Sequence, residues 1–523
     1  MSSRLTRREV LGAGLAGAAA VTLAGCGTAA PPRPGSTLRR TVVDPRGSGL
    51  LALGPGERFL ERTELAGAGA PGRTLLRLGQ LTDVHVHDAE SPARVPFLDR
   101  LGGPFKPTFR PQETLMAHVL GAALPAIDAA HLDAVLVSGD IVDSAQLNEL
   151  DWSLGILSGR PVRPDSGARG YIGVQGASNP DPFYYRPDVD APRHPGLLDR
   201  ALSPVRSPGL RTRWHPVLGN HDVLVQGEFA PTPVTRRIAT GDRLLVEADP
   251  DRLKRARTEL ATRGLDAVLR GGLGGHEIRV PPDERRVHLS SPDVIARLRA
   301  AASGRSSGPR ADRLDYVVPV GDELVLVVLD LVRRDQGAGG LLTTATIDFL
   351  REALAHAGER WVVVCSHQPL ADSEGAEEAF ALLDPDPRVI ALVAGHTHRN
   401  AVVPRRTPSG GFWQITTCSL IDWPQQWRAL RVVETSARAV AIEAWMVDHP
   451  GRPRDDEDLA GIARELAYLD AQGGRPAGAA GTRSDRNVRL HLPPRLPKAP
   501  RTPPRALPRR HPRPAGTGVG DAV

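Results

Sequence analysis

The chain has 523 residues, which is enough for one large domain or two ordinary ones. Hydrophobic residues make up 41% of the sequence and aromatic residues only 4%, so we expect a core of aliphatic side chains. The net charge of +6 comes from the end of the chain, because the residues from Gly481 onward include ten Arg or Lys and two Asp. The remainder is slightly acidic, which argues against a basic stripe on the folded body and predicts no specific nucleic-acid partner.

The first residues are typical of an export signal. Arg7 and Arg8 precede an apolar stretch, Val10–Leu23, that is too short and too rich in Gly to span a membrane. The following Cys26 completes a Leu-Ala-Gly-Cys sequence that resembles a bacterial lipobox. We therefore predict that residues 1–25 are a twin-arginine lipoprotein signal and that Cys26 carries a lipid; an ordinary cleaved signal is the alternative. The twin-arginine machinery would export the protein. Its lipid would then anchor it to the outer face of the cytoplasmic membrane, and residues 26–73 would form a tether and lead-in strands.

Five largely apolar runs predict strands, and a short polar motif follows each of them. The runs are Leu75–Leu81, Ala134–Ser138, Trp214–Leu218, Trp361–Cys365 and Val389–Ala394. The motifs, in the same order, are Asp83-Val84-His85, Gly139-Asp140, Gly219-Asn220-His221-Asp222, Ser366-His367 and Gly395-His396-Thr397-His398. Because successive strand ends can meet at one edge of a sheet, we expect these side chains to converge.

The motifs supply nitrogen and oxygen donors without a thiolate. Asp83 and His85 are two residues apart, as are His396 and His398, so each pair would lie on one face of an extended strand end. The Asp140 carboxylate can bridge two cations. An amide and an imidazole complete the donor set, on Asn220 and His367. This set suits Mn, Fe or Zn, and two such ions roughly 3.5–4 Å apart can clamp a phosphoryl group.

The segments between the motifs predict further elements. The helices are expected near Glu113–Ile127, Ala345–Ala357 and Asp458–Leu469. The strands are expected over Leu314–Val318, Leu324–Leu329, Gly411–Thr417, Ala429–Glu434 and Ala439–Met446. The stretches of about 144–212 and 225–313 exceed ordinary connections and predict insertions that cap the strand ends. The main domain would span residues 74–450, followed by a short helix within 451–471 and a disordered Pro/Arg-rich tail over 472–523.

Several side chains have two interpretations. Cys365 and Cys418 lie in apolar runs and are predicted to be buried thiols, with a disulfide as the alternative. Tyr184 and Tyr185 would pack inside the insertion, or else stack on a base. Residues after the second motif would either hydrogen-bond the ligands or start a helix, namely Asp143, Gln146 and Asn148. His87 and Asp88 are expected to support the ligands from behind or to lie in the loop, and Asp422 and Trp423 are expected at the rim of the pocket.

The motif series D-x-H, G-D, G-N-H-D, H and G-H-x-H resembles the calcineurin-like metallophosphoesterase superfamily, over roughly residues 75–446. The resemblance implies an α/β fold, a four-layer αββα sandwich of two mixed β-sheets, with the insertions forming a cap. It implies that one metal ion is held by Asp83, His85, Asp140 and His398, and the other by Asp140, Asn220, His367 and His396. A hydroxide shared by the ions would attack phosphorus, and His221, oriented by Asp222, would act at the leaving oxygen.

Two differences from the motifs of purple acid phosphatases indicate that the chain resembles another branch of the superfamily. Purple acid phosphatases of this superfamily carry a metal-binding Tyr three residues after the G-D aspartate, where this chain has Asp143, and a G-N-H-E block, where it has Asp222. We therefore expect no tyrosinate–ferric colour. The segments Arg110–Glu113 and Ile421–Gln426 are similar to those of an exported, poorly characterised bacterial branch.

The predicted function is hydrolysis of small phosphomonoesters or phosphodiesters by an exported, membrane-tethered enzyme with two divalent metal ions. One alternative is a catalytically silent, metal-binding cell-envelope lipoprotein that acts as a binding module. The presence of both His221 and Asp222 argues against that alternative, because a protein without catalytic activity does not need a pair of residues for proton transfer. The other alternative is an envelope interaction protein that works through its Arg/Pro-rich tail.

Overall fold

The computed structural model describes residues 33–94, 109–304, 306–436, 439–470 and 478–495. The predicted signal over residues 1–25 and the predicted lipid site Cys26 lie outside the described residues. Within the described ranges, no helix combines the length and the apolar character needed to cross a membrane.

The described residues form seventeen strands, in two large mixed sheets and two small two-stranded sheets. In chain order the strands are β1 Arg40–Val43, β2 Ala52–Pro55, β3 Leu60–Arg62, β4 Thr74–Leu81, β5 Ala134–Ser138, β6 Trp214–Val217, β7 Arg243–Glu247, β8 His276–Arg279, β9 Tyr316–Val320, β10 Leu324–Val328, β11 Trp361–Cys365, β12 Val389–Ala394, β13 Ala401–Arg405, β14 Phe412–Thr416, β15 Gln426–Ser436, β16 Ala439–Asp448 and β17 Val488–His491. The first large sheet has the order β13-β14-β12-β11-β10-β9, and the second has the order β3-β17-β16-β15-β4-β5-β6.

The same part of the chain contains ten α-helices. They are α1 Met116–Asp128, α2 Leu147–Leu157, α3 Leu197–Ala201, α4 Pro233–Ala239, α5 Pro250–Arg263, α6 Leu265–Gly271, α7 Ser291–Ala301, α8 Thr344–His356, α9 Ala376–Leu383 and α10 Leu459–Leu469. Side-chain caps start two of the helices predicted from sequence, because Thr343 accepts a hydrogen bond from Thr346 N before α8 and Asp458 accepts one from Gly461 N before α10. The third predicted helix corresponds to α1.

The side chains of the first sheet alternate between two cores. Leu324, Leu326 and Val328 of β10 belong to the main core, which includes residues of the second sheet and of α1, α2 and α10. The intervening residues Val325 and Val327 pack with residues of α8 and α9 on the opposite face. Two mixed sheets therefore lie face to face between helical layers, which confirms the predicted αββα sandwich.

The strands that precede the five motifs end at one place. β4, β5 and β6 run parallel in the second sheet, and β11 and β12 run parallel in the first. Hydrogen bonds between the sheets join these ends, because Gln80 Nε2 donates to Ala394 O at 2.9 Å and His367 Nδ1 donates to Ser138 O at 2.8 Å. The carboxyl ends of five strands thus meet along one edge, as expected from the sequence.

The two insertions contain their own elements. The first contributes α2 and α3, and the second contributes α4 to α7 with the paired strands β7 and β8. The insertions share a small core, in which Tyr184 of the first packs with Leu244 and Val246 of the second. Tyr184 is 4% exposed, and its neighbour Tyr185 donates its hydroxyl to Pro192 O at 2.5 Å. Packing within the insertion, not base stacking, is therefore the role of this pair.

The end of the chain corrects the prediction of a disordered tail from residue 472. Val488–His491 form β17, which lies between β16 and β3 in the second sheet. Val488 and Leu490 are fully buried, whereas the Pro/Arg-rich composition around them had suggested disorder. The other parts of the predicted tail, residues 472–477 and 496–523, lie outside the described residues. Cys365 and Cys418 are both buried and unpaired, which confirms the thiol interpretation.

Candidate metal centre

Five of the seven predicted ligands share an uncommon backbone conformation. The φ angle is positive at Asp83 (53°), His85 (51°), Asp140 (51°), His396 (68°) and His398 (55°). For a residue other than glycine, the left-handed conformation costs of order 1–3 kcal/mol of free energy, so the surrounding structure must hold the residue in it. Such residues are common at functional sites. The strands β4 and β12 end before these residues. The expectation that each pair lies on an extended strand end is therefore wrong, because both pairs lie in left-handed loops beyond the strands.

Hydrogen bonds of the protein hold these loops against one another. Asp83 N donates to Gly139 O at 3.1 Å, and His85 N donates to Asp140 O at 2.9 Å. The Asp83 carboxylate accepts the backbone N–H of His396 at 3.1 and 3.2 Å. Three motifs from two sheets are thus fixed relative to one another by main-chain contacts.

Asp83, His85 and His398 form the first triad of donor atoms with a spacing suited to a cation. His398 Nε2 lies 3.3 Å from Asp83 Oδ1 and 3.3 Å from His85 Nε2. His85 Nδ1 donates to Asp143 Oδ1 at 3.1 Å, since an ionised carboxylate can only accept. The remaining lone pair of neutral His85, on Nε2, is therefore directed into the triad.

Asp140, His367 and His396 form the second triad. The His367 Nδ1–H is occupied by Ser138 O, and its Nε2 lies 3.0 Å from Asp140 Oδ2 without making a hydrogen bond. His367 is fully buried, so in the neutral form of the imidazole, without a proton on Nε2, this nitrogen would have no partner, at a cost of about 1–3 kcal/mol. A cation between the imidazole nitrogen and the carboxylate would satisfy both atoms, so the residues present fit a metal ion.

Asp140 also belongs to a third triad, with His85 and His221, and so lies between the other two. Asn220, the predicted amide ligand, is buried beside His221 in the same loop. Its Nδ2 donates to Gly227 O at 3.1 Å, while its Oδ1 accepts a hydrogen bond from Gln368 Nε2 at 3.4 Å. The structure therefore brings six of the seven predicted ligands into triads and places the seventh on the adjoining loop.

The electrostatics of the site favour positive charge in both outer triads. Burial opposes ionisation of Asp83, but His398 and His367 outweigh it and hold the pKa of Asp83 at about 2. Burial also opposes a charge on His367, but Asp140 and Asp83 raise its pKa to about 10. The pKa of His398 is likewise raised, against burial, by Asp83. One positive charge is thus stabilised in each outer triad, at positions where a metal cation would replace the proton.

The other two histidines are held neutral. Burial, followed by the nearby His221, lowers the pKa of His85 to about 4, and burial lowers the pKa of His396 to about 3. Neutral imidazole is the form that binds metal ions. Mixed nitrogen and oxygen donors without thiolate suit Mn, Fe or Zn.

The Asp222 carboxylate is directed at backbone amides instead of at His221. It accepts the N–H groups of Asp140 at 3.1 Å, Ile141 at 2.9 Å and Gly219 at 2.8 Å, and burial raises its pKa to about 7. The prediction that Asp222 orients His221 is therefore wrong. Asp222 instead joins the loops of the second and third motifs, which positions Asp140 from behind.

His221 lies at the opening of the site. Its Nδ1 donates to Asp143 O at 2.6 Å, and its side chain is 19% exposed. The ring meets that of His85 edge to face, with 4.4 Å between the centroids. Gly227, with a φ of 72°, packs against it so closely that a Cβ there would lie 2.3 Å from His221 Cδ2. The orientation of His221 therefore depends on a backbone carbonyl and on the absence of a side chain at Gly227.

Asp143 holds two histidines as well as His221. Its Oδ1 accepts from His85 Nδ1 and its Oδ2 from His87 Nδ1, each at 3.1 Å. The next helix begins at Leu147, so the alternative of a helix start does not apply to Asp143. Its position shortly after the second motif was the sequence signal for this contact.

Asp422 is a ligand-orienting residue that sequence reasoning placed on the rim. It is 1% exposed, and its Oδ2 accepts a hydrogen bond from His398 Nδ1 at 2.5 Å. Trp423, also predicted at the rim, packs instead against Tyr468, with 4.7 Å between the ring centroids. Nothing in the spacing of the motifs pointed to Asp422, because 24 residues separate it from His398.

The other residues suggested near the ligands belong to a buried polar network. Asn148 Nδ2 donates to Asp88 Oδ2 at 2.6 Å, and Ser91 Oγ donates to Gln146 Oε1 at 2.5 Å. Arg286, from the second insertion, donates to Asp88 Oδ2 at 3.3 Å. The helix-start alternative holds for both residues, because Gln146 directly precedes α2 and Asn148 lies in its first turn. Their side chains attach the insertion to the loop that follows the first motif.

The solved structures to which this chain is similar include three phosphatase-related proteins. A dimetal phosphatase from Danio rerio is 14% identical, with a TM-score of 0.37, and the match covers 72% of this chain and all of that one. A purple acid phosphatase from yellow lupin (Lupinus luteus) seeds is 10% identical, with a TM-score of 0.33, and the match covers 72% of this chain and 52% of that one. PhoD is 12% identical, with a TM-score of 0.30, and the match covers 80% of this chain and 81% of that one. No protein-family model and no curated protein matches the chain.

Proposed function

We propose that this protein is a metal-dependent phosphoesterase with two divalent metal ions. The observation that carries the proposal is the position of Asp140, whose carboxylate belongs to two histidine-containing triads at the meeting point of five strand ends. One ion would be held by Asp83, His85, Asp140 and His398, and the other by Asp140, Asn220, His367 and His396. Such a pair, when bound, polarises the phosphoryl group and offsets the charge that develops on its oxygens.

The residues of the chain supply positioning and a proton. His221 Nδ1 is fixed by Asp143 O, which leaves Nε2 as the nitrogen that can exchange a proton with a substrate. Its partial exposure places it where the oxygen of a leaving alcohol can reach it. We assign it the role of general acid at that oxygen.

The exposure of the site favours a small substrate. The side chains of His221 and His398 are 19% and 15% exposed. The more deeply placed ligands are at most 1% exposed, namely Asp83, His85, Asp140, Asn220 and His367. A phosphoryl group on a slender alcohol can approach such a centre, whereas a rigid nucleic-acid duplex cannot bring its backbone to buried ligands.

The test is turnover of a substrate panel by the full-length chain, purified without chelator and supplied with Mn²⁺, Fe²⁺ or Zn²⁺. The panel contains mono- and bis-p-nitrophenyl phosphate, cyclic nucleotides and linear nucleotides. Metal-stimulated hydrolysis of at least one ester, removed by chelator, is the expected result. No turnover with any of the three metals would overturn the proposed activity and favour the alternative of a catalytically silent binding module.

The His221→Ala variant should separate proton transfer from metal binding. We expect it to keep the metal content of the wild type and to slow turnover by roughly 10²–10⁴-fold, the usual contribution of a general acid. Metal content is measured on the same preparation used for kinetics. Because His221 also belongs to a triad, loss of metal from this variant would identify it as a ligand and contradict its assignment as the acid.

We further propose that the protein is exported by the twin-arginine route and tethered by a lipid on Cys26. The support is the sequence of the leader, with its paired arginines and its Leu-Ala-Gly-Cys end. The Cys26→Ser variant should move from the membrane fraction to the soluble fraction. Immunoblotting of fractionated cells measures this change. Retention of the variant in the membrane fraction after a salt wash would show that this cysteine is not the anchor.

A further inference from the structure

The turn Leu420–Asp422 contacts the first predicted ligand through its backbone. Leu420 N and Ile421 N both donate to Asp83 O at 3.1 Å. Asp83 has a φ of 53°, a conformation that a residue with a side chain keeps only when its surroundings impose it. The two amides therefore hold the main chain of Asp83 in the orientation that directs its carboxylate into the first triad.

The same turn contacts the last predicted ligand through a side chain. Asp422 Oδ2 accepts a hydrogen bond from His398 Nδ1 at 2.5 Å. With its proton on Nδ1, a neutral His398 carries its lone pair on Nε2, the atom that lies 3.3 Å from Asp83 Oδ1. Asp422 thus selects the tautomer and the ring orientation in which His398 can bind a metal ion.

Arg110 keeps the Asp422 carboxylate in place. Its Nε donates to Asp422 Oδ1 at 2.7 Å and one of its terminal nitrogens donates to Oδ2 at 3.4 Å. The two side chains are 6% and 1% exposed, so neither charge is hydrated and each needs the other. Gln112, two residues further on, donates to Ile421 O at 3.0 Å and ties the segment of Arg110 to the turn.

The second triad is oriented differently. His367 Nδ1 donates to the backbone oxygen of Ser138, whereas the hydrogen bond from His398 to Asp422 orients a ligand of the first triad. A change at Asp422 should therefore reach the ligands Asp83 and His398 and spare the other group.

We propose that Arg110, Leu420, Ile421 and Asp422 form a ligand clamp that positions Asp83 and His398 and thereby sets the affinity of one of the two metal ions. Asp422 and Arg110 are positioning residues, because they act through His398. The inference rests on the proposed two-metal site and adds that the two ions depend on different supports. It also gives a common purpose to two separate segments, Arg110–Gln112 and Leu420–Asp422, which lie far apart in the sequence.

The test is Mn²⁺ binding to the metal-free full-length chain. Calorimetry measures the affinity for each ion, and the electron magnetic resonance spectrum shows whether the bound ions are coupled. The wild type should bind two Mn²⁺ and show the spectrum of a coupled pair. In Asp422→Asn, the amide cannot accept from both His398 and Arg110, so one Mn²⁺ should bind 10–100-fold more weakly while the other keeps its affinity. At one Mn²⁺ per chain the variant should show an uncoupled ion.

Asp448→Asn is the matched control. Asp448 is also fully buried and accepts a 2.9 Å hydrogen bond from Gln426, with Arg464 nearby at 4.0 Å. The same chemical change there should lower the melting temperature and leave both Mn²⁺ affinities unchanged. Equal weakening of Mn²⁺ binding in both variants would show a general loss of packing and overturn the clamp.

Arg110→Lys keeps the charge and removes the planar pair of donors. It should lower the affinity for the same Mn²⁺ ion by a smaller factor than Asp422→Asn does. If Asp422→Asn does not fold, Arg110→Lys alone tests whether the clamp sets this affinity. Wild-type affinity for both ions in Arg110→Lys, or in a folded Asp422→Asn, would overturn the clamp and leave the proposed function intact. Fewer than two Mn²⁺ on the wild type would overturn the proposed function and the clamp with it.

Discussion

Replacing Asp140 with Asn is expected to reduce metal-stimulated phosphodiester hydrolysis by roughly 10³-fold or more, because in the proposed centre both ions would lose the charge of the ligand that they share. The fold should survive, since the Oδ1 of Asn can still accept the 2.8 Å hydrogen bond from His221 N. The measurement is steady-state turnover of bis-p-nitrophenyl phosphate at saturating Mn²⁺, with circular dichroism to establish folding.

Asp128→Asn is the control for the loss of a buried carboxylate. Asp128 accepts the backbone N–H groups of Arg211 and Thr212 at the end of α1, and these contacts do not involve the candidate centre. The control should lose stability without a comparable loss of turnover. If Asp140→Asn hydrolyses the ester within tenfold of the wild-type rate, Asp140 does not have the shared role assigned to it.

Ending the chain at Gln472 is expected to prevent folding. The deletion removes β17 and, with it, the fully buried Val488 and Leu490 and the nearly buried Leu492. At roughly 1.5–3 kcal/mol for each side chain, the loss is about 5–9 kcal/mol, comparable with the whole stability of a typical domain. β3 also loses its partner, because it pairs with β17 in the second sheet.

The buried Arg428 increases this effect. It is fully buried, and its guanidinium donates to Asp485 O at 2.9 Å and to Arg486 O at 3.2 Å, both of which the deletion removes. Ending the chain after Arg495 instead retains β17 and both acceptors, and is the matched control. Soluble expression and a thermal melt distinguish the two chains. A cooperative melt of the shorter chain near the temperature of the longer one would contradict the structural role of β17.

The positions of the core strands could be predicted because each is an apolar run closed by a polar motif. β5, β11 and β12 have the predicted limits, and β4 and β6 differ from them by one residue. Short strands were missed for the opposite reason. β17 has four residues, and its alternation of buried and polar side chains is concealed by Pro and Arg on both sides.

The residue types of the centre could be predicted, but not their backbone geometry. Periodicity places Asp83 and His85 on a strand, whereas the hydrogen bonds that their backbone N–H groups donate to Gly139 O and Asp140 O, distant in the sequence, fix them in a left-handed loop. A motif gives the order of its residues but not the direction of each side chain. Asp222 follows His221 directly, and yet its carboxylate faces the amides of another loop.

The supports of the centre were the least predictable part. Asp422 reaches His398, and Arg110 reaches Asp422 across 312 residues of sequence. Such contacts follow from how the two sheets pack, which local pattern does not encode. Resemblance to an exported bacterial branch singled out both segments without indicating what they do.

The most direct measurement is the number and coupling of metal ions on the full-length chain, by elemental analysis together with magnetic resonance of the Mn²⁺-loaded protein. The proposed centre predicts two ions per chain, magnetically coupled because they lie roughly 3.5–4 Å apart. One uncoupled ion, or none after reconstitution with Mn²⁺, Fe²⁺ and Zn²⁺, would contradict it.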